Sequence, residues 1–77
     1  MKKESVGIST EFIRLDALLK MTGIAGTGGE AKMLIQTGQI RVDGEICYQR
    51  GKKIRQGQTV LSPNGDREVA VREEVLP

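Results

Sequence analysis

The 77-residue sequence contains no histidine and no tryptophan, and it has only one cysteine, one tyrosine and one phenylalanine. The absence of histidine removes the usual proton shuttle at neutral pH and the commonest metal ligand. A single cysteine can form neither an intramolecular disulfide nor a cysteine-rich zinc site, and it fits a reducing compartment better than secretion. That residue, Cys47, is expected to be a small buried residue on a strand, since free cysteine is among the most buried residue types. No neighbouring base is evident that would activate its thiol as a nucleophile. We therefore expect a protein that is not an enzyme and that has no catalytic residue, no cofactor and no metal.

Long hydrophobic runs are also missing from the chain. No apolar segment approaches the roughly 18 residues of a membrane-spanning helix, and no signal-peptide pattern is visible. The length predicts one domain over residues 1–77, with a thin core that buries about 60 % of the unfolded surface. These features predict a small cytoplasmic protein without a membrane contact, for which a monomer is favoured.

Basic residues are concentrated in the middle of the chain, although the net charge is only +2. Residues 32–55 contain six lysines or arginines against two acidic residues, whereas the flanking segments are neutral or acidic. Such a distribution indicates a localised basic patch, which can follow the phosphates of a nucleic acid. A solvated basic loop without a partner is the alternative. Because Tyr48 is the only aromatic residue near the patch, recognition of backbone or shape is favoured over a single-strand platform.

One central segment, residues 27–46, combines a helix, a strand and a tight turn. Thr27 followed by Glu30 matches the capping box, in which each side chain binds the backbone N–H of the other residue. Gly38 follows the last residue of the predicted helix, where a left-handed residue commonly ends a helix. After an alternating strand, the pair Asp43-Gly44 is a strong signal for a hairpin turn.

Two adjacent glycines, Gly28 and Gly29, lie in the first turn of that predicted helix. Glycine costs about 1 kcal/mol relative to alanine in a helix interior, so the pair needs a reason. One explanation is that an uncovered helix N-terminus binds an anion through its free N–H groups. The other explanation is that the glycines let this helix pack closely against a neighbouring element.

A first helix is predicted before this segment, and β structure after it. Ser9 or Thr10 can cap that helix, and an apolar stripe with helical spacing runs from Phe12 towards Gly23, which ends it. The two helices are joined by about five residues, which predicts a helix-turn-helix-like corner. Short strands are predicted at 6–8, 40–42, 45–47, 59–61 and 69–72, with further β structure at Ile54.

Several of these features together resemble a known family. The helix-one sequence RLD, the helix start TGGEAK, the hairpin sequence GQIRVDG and the loop QRGKK occur in the order and spacing of the ribosomal-protein-S-four-like RNA-binding domain. The resemblance is strongest to its stand-alone bacterial version, the YbcJ-like proteins. It covers a core motif at about residues 10–61, which leaves 62–72 as a C-terminal hairpin strand and 73–77 as a loose tail. Gln49 and Gln58 depart from the family pattern, in which arginine and aspartate are frequent at these positions.

The resemblance implies an α+β fold, the αL RNA-binding motif, in which the two helices pack on a small, mostly antiparallel, curved sheet. It also implies that structured RNA, such as ribosomal RNA or tRNA, binds along helix two and the adjoining loop, in association with the ribosome. Two alternatives stay open, namely a module that docks on a partner protein and an accessory that delivers RNA to a separate enzyme. The positions that match the RNA-binding residues of the family are Thr27, Gly28, Gly29, Lys32, Gln36, Arg41, Arg50, Lys52 and Lys53.

Overall fold

A computed structural model describes residues 2–74, in which two short helices pack on β structure. The α+β class predicted from the sequence is therefore confirmed. Neither helix in this part of the chain is long and apolar enough to cross a membrane. The elements are β1 (Lys2–Ile8), β2 (Phe12–Arg14), α1 (Leu15–Met21), α2 (Gly28–Gln36), β3 (Arg41–Val42), β4 (Glu45–Ile46), β5 (Lys53–Arg55), β6 (Thr59–Leu61) and β7 (Arg67–Glu73).

Five strands form one sheet in the order β1-β7-β6-β3-β4, and β2 pairs with β5 in a separate two-stranded ribbon. All neighbouring strands are antiparallel except β1 and β7, which run parallel, so the prediction of a mostly antiparallel sheet is confirmed. The first strand was predicted at residues 6–8 only, but it begins at Lys2. It is longer because every residue from Lys2 to Ile8 pairs with a residue of β7, near the other end of the chain.

The core lies between the helices and the inner face of the five-stranded sheet. Each helix contributes three buried residues, which fall at helical spacing on one face. Strands contribute alternate residues, as expected for half-buried strands. The fully buried large side chains are Leu15, Leu18, Leu19, Ile35, Ile40, Ile54, Val60, Val69 and Val71.

The start of the first helix differs from the prediction. Residues 12–14 form strand β2, and α1 begins only at Leu15, without a side-chain cap from Ser9 or Thr10. The first amides of α1 are satisfied by the chain that follows β4, because Leu15 N–H donates to the Lys52 carbonyl at 2.9 Å. Long-range pairing of β2 with β5 therefore overrides the local helical pattern.

The second helix and the hairpin follow the prediction closely. Thr27 Oγ1 accepts a hydrogen bond from Glu30 N–H at 3.1 Å, although the return bond of a capping box is absent within residues 2–74. Gly38 has a φ of 76° just after the helix, and Asp43 and Gly44 have φ values of 51° and 86°. Two consecutive left-handed residues are typical of a type I′ hairpin turn.

The C-terminal part of the described chain is more ordered than the sequence indicated. Glu73, predicted to begin a loose tail, is the last residue of β7, and Glu74 N–H donates to the Ile8 carbonyl at 2.9 Å. The remainder of the predicted tail, residues 75–77, lies outside the described residues.

Cys47 is half-buried rather than buried, and it follows β4 instead of lying on it. It packs against the edge of the core, and its thiol lies 3.7 Å from the Gln49 carbonyl oxygen. Backbone pairing continues past β4, because Cys47 N–H donates to the Ile40 carbonyl at 3.0 Å, but the side chain packs against the core from outside and stays partly exposed.

Candidate nucleic-acid interface

One face of α2 carries four of the nine predicted RNA-binding residues. Gly28, Gly29, Lys32 and Gln36 are all exposed, and the last two lie one turn apart on the helix surface. Thr27 caps the same helix and is exposed as well. This face is therefore open to a ligand from the N-terminus of the helix to its last turn.

The two glycines have no packing role. A Cβ atom on Gly28 would meet nothing within 4 Å, and one on Gly29 would meet only Thr27 Oγ1, at 4.0 Å. Close packing against a neighbouring element is therefore excluded as the reason for the pair. Because they have no side chains, the glycines leave the backbone N–H groups at the positive end of the helix dipole uncovered.

The basic loop, which consists of Arg50, Gly51 and Lys52, is hydrogen-bonded to the start of α1. Leu15 N–H donates to the Lys52 carbonyl at 2.9 Å, and Asp16 N–H donates to the Arg50 carbonyl at 3.1 Å. These bonds use the carbonyl groups of the loop and leave the side chains of Arg50 and Lys52 exposed. The first turn of α1 thus holds the loop in place.

The β2–β5 ribbon contains Lys53 of the predicted site and adds two cations, Arg14 and Arg55, that the sequence did not assign to it. Arg14 pairs with Lys53 across the ribbon, and Phe12 pairs with Arg55. The Lys53 ammonium lies 4.9 Å from the centroid of the Phe12 ring, and the Arg55 guanidinium lies 5.8 Å from it. Cations at these distances are attracted by the face of the ring. Because Phe-Ile-Arg does not alternate between apolar and polar residues, no local pattern in the sequence indicates this ribbon.

Arg14 also contacts the nearest acidic group. Its guanidinium lies 3.2 Å from the Asp16 carboxylate, and both side chains are partly exposed. Such a surface pair contributes at most about 1 kcal/mol, so it leaves Arg14 able to exchange this partner for a phosphate. Arg50, Lys52 and Lys53 form no ion pair within residues 2–74.

Arg41 lies apart from the basic loop. It is exposed on β3, and its guanidinium donates to the Gly44 carbonyl at 3.1 Å, across the hairpin turn. Arg41 and Lys52 line different surface depressions. The structure therefore brings together Arg50, Lys52 and Lys53, whereas no described hydrogen bond joins Arg41 or Lys32 to them.

This arrangement places the protein in the class of S4-like RNA-binding domains, as the sequence resemblance implied. The model of the S4 domain family matches residues 6–71, which is most of the chain. The chain belongs to the S4 domain family.

Three known proteins are similar to the chain. The Escherichia coli K12 protein named "Putative RNA-binding protein YbcJ" is 42 % identical over 48 residues, which cover 62 % of this chain and 69 % of that protein. YbcJ of Shigella flexneri matches with the same identity and coverage. The trimeric structure of Heat Shock Protein 15 from Vibrio cholerae superposes with a TM-score of 0.62 and 22 % identity. That match covers 75 % of this chain and 58 % of the other chain, and it shows the fold alone.

Proposed function

We propose that this protein binds structured RNA, without catalysing a reaction, through the exposed face of α2 and the basic loop. Membership in the S4 domain family and the RNA-binding name of the YbcJ relative support this proposal. The predicted site residues are all exposed, as a binding surface requires.

The observation that carries the proposal is the anchored basic loop. Two backbone hydrogen bonds to α1 hold it, and Arg50 and Lys52 of the loop, with Lys53 at the start of β5, form no ion pair within residues 2–74. Like charges held this close repel one another, and a polyanion relieves that repulsion as it releases its own counterions. A surface built in this way binds phosphates and positions an RNA without reading its sequence.

The first test removes these three cations together. The variant Arg50→Ala/Lys52→Ala/Lys53→Ala should unfold at nearly the wild-type temperature, because exposed substitutions usually change stability by about 0.5 kcal/mol or less each. Its affinity for an RNA hairpin should fall, and the slope of log K against log salt should become shallower by roughly two to three units. Filter binding over a salt series measures both quantities.

A matched control removes three exposed cations elsewhere, with the variant Lys2→Ala/Lys3→Ala/Lys20→Ala. It changes the net charge by the same amount, so it should preserve most of the salt slope. An unchanged slope in the loop variant, or equal losses in the two variants, would show that the basic loop is not the RNA-binding surface.

The open edge of the sheet favours a second function. Strand β1 (Lys2–Ile8) is at the edge of the five-stranded sheet, so its outer backbone groups can pair with a strand of a partner protein. Docking of that kind would be nearly independent of salt and of the loop cations. The salt series therefore separates the two functions.

We also propose which kinds of RNA the protein binds. Ribosomal RNA and tRNA are the targets we would test first, by crosslinking in cells and sequencing of the bound RNA. Association with the ribosome, a cytoplasmic location and a monomeric state stay predictions of the sequence.

A further inference from the structure

Tyr48 is a large aromatic side chain that is not part of the proposed RNA-binding surface. Its exposure is 61 %, and it lies two residues before Arg50 of the basic loop, after β4. The ring rests on Gly38, where a Cβ atom would lie only 3.2 Å from Tyr48 Cε1 and 3.3 Å from its hydroxyl. Ile46 approaches the same point at 3.6 Å. The ring is therefore seated against the end of α2 while most of its surface stays in water.

An open depression of about 420 Å³ lies beside this ring. Its lining combines apolar side chains with polar groups that can hydrogen-bond, and Lys52 of the basic loop is one of them. Five of its nine lining residues carry charged or amide side chains, so the depression offers hydrogen-bonding groups beside an aromatic ring, as a nucleobase requires. The residues that line the depression include Ile46, Tyr48, Gln49, Lys52, Asp43 and Glu45.

The acidic residues of the lining decide which part of a nucleotide fits. Asp43 is already engaged, because its two carboxylate oxygens accept hydrogen bonds from Thr59 N–H at 2.9 Å and from Gln58 Nε2 at 3.0 Å. Glu45 is exposed and forms no ion pair within residues 2–74. A free carboxylate repels a phosphate but accepts hydrogen bonds from the amino group of a nucleobase.

We propose that Tyr48 is a stacking platform for one unpaired nucleobase of the bound RNA, which enters this depression while Lys52 contacts a neighbouring phosphate. Unpaired bases in loops and bulges are commonly splayed out and stacked on aromatic side chains. The inference rests on the proposed RNA binding and deepens it, because it names an unpaired nucleotide beside a structured region as the feature that is recognised. A single platform of this kind is compatible with a surface that otherwise reads backbone and shape.

The test uses two RNA hairpins that differ only in a one-nucleotide bulge. Because the chain has one tyrosine and no tryptophan, tyrosine emission reports on Tyr48 alone. We expect the bulged hairpin to quench this emission on binding and the fully paired hairpin to leave it nearly unchanged. Binding itself is followed independently by fluorescence anisotropy of labelled RNA.

Three variants separate stacking from packing against Gly38. Tyr48→Phe should bind the bulged hairpin like the wild type, because the ring remains. Tyr48→Leu keeps an apolar group against Gly38, and Tyr48→Ala removes it; both should lose about 5- to 150-fold in affinity for the bulged hairpin. Neither should change the salt slope, since no phosphate contact is lost. Affinity for the fully paired hairpin should be equal in all four proteins.

Each remaining outcome overturns one of the proposals. If the wild type binds hairpins with a steep salt slope, but Tyr48→Leu binds the bulged hairpin equally well, the stacking platform is wrong and RNA binding stands. The same holds if binding of the bulged hairpin leaves tyrosine emission unchanged. If neither hairpin binds to the wild type, RNA binding itself is wrong.

Discussion

A side chain added at Gly29 is expected to preserve or raise helix stability, whereas a negatively charged one is expected to weaken RNA binding. Gly29→Ala should stabilise the protein by up to about 1 kcal/mol, because alanine is the better helix former and its Cβ atom would have space. Gly29→Glu should also fold, since a carboxylate is favourable at a helix N-terminus. Its RNA affinity should nevertheless drop sharply, because the added charge lies where the proposed phosphate binds. Thermal unfolding and RNA titration of both variants measure the two effects.

The control for the added charge is Gln56→Glu, at an exposed position in the turn between β5 and β6. It introduces the same charge away from α2 and should weaken binding only slightly. A Gly29→Glu protein that folds and binds RNA with wild-type affinity would remove the N-terminus of α2 from the site.

Among single residues, those with a local role were the most predictable. The threonine cap of α2, the left-handed glycine after it and the Asp-Gly turn each depend on a few neighbouring residues, and all three occur as expected. The position of Arg14 beside the basic loop, by contrast, depends on residues almost forty positions later in the chain. Local patterns contain no information about such a neighbour.

At the scale of elements, Asp43 ties the β3–β4 hairpin to the turn before β6. Its carboxylate accepts from Thr59 N–H and from the side chain of Gln58, which in turn accepts from Arg55 N–H at 2.8 Å. Gln58, a departure from the family pattern, thus closes this turn with both ends of its amide. The two turns form one hydrogen-bonded unit.

We expect Asp43→Ala to lower the free energy of unfolding by about 1–2 kcal/mol. Thr59 N–H would lose its side-chain acceptor, and alanine would have to adopt the left-handed φ of 51° at this turn. Urea unfolding followed by circular dichroism measures the change. The neighbouring variant Glu45→Ala is the control, and it should change stability by about 0.5 kcal/mol or less. Equal losses in both variants would show that the carboxylate of Asp43 is not a structural link.

At the scale of the whole molecule, Glu4 and Arg67 connect the two ends of the described chain to α1. The Arg67 Nη2 group donates to Glu4 Oε1 at 2.7 Å and to the Thr22 carbonyl, after α1, at 2.6 Å. The hydrogen bonds from Arg67 lower the pKa of Glu4 below its ordinary value, and the same contact raises the pKa of Arg67. One ion pair therefore joins β1, β7 and the first helix.

This pair predicts how stability depends on pH. Because the pKa of Glu4 is lower in the folded state, its contribution is fully present above the ordinary pKa of a glutamate and is lost as the pH falls through the lowered value. Glu4→Gln should lower stability at neutral pH and flatten the decrease on the acid side. Urea unfolding over a pH series measures both changes.

The control is Glu11→Gln, at an exposed residue just before β2. It forms no ion pair within residues 2–74, so it should leave both the neutral stability and the acid slope close to those of the wild type. If Glu4→Gln keeps the acid slope of the wild type, the pair with Arg67 does not contribute to the pH dependence.

The resemblance to a known family implied the α+β class, whereas the sequence by itself determined the second helix, the hairpin that follows it and the basic middle of the chain. These features depend on capping, turn preference, side-chain periodicity and charge, which all act over a few residues. Only the tertiary structure decided the parallel pairing of β1 with β7 and the pairing of β2 with β5. It also decided that α1 begins at Leu15 and that the Tyr48 ring packs against Gly38. Each of these brings together residues distant in the chain, where backbone hydrogen bonding and core packing outweigh the weak local preference of either partner.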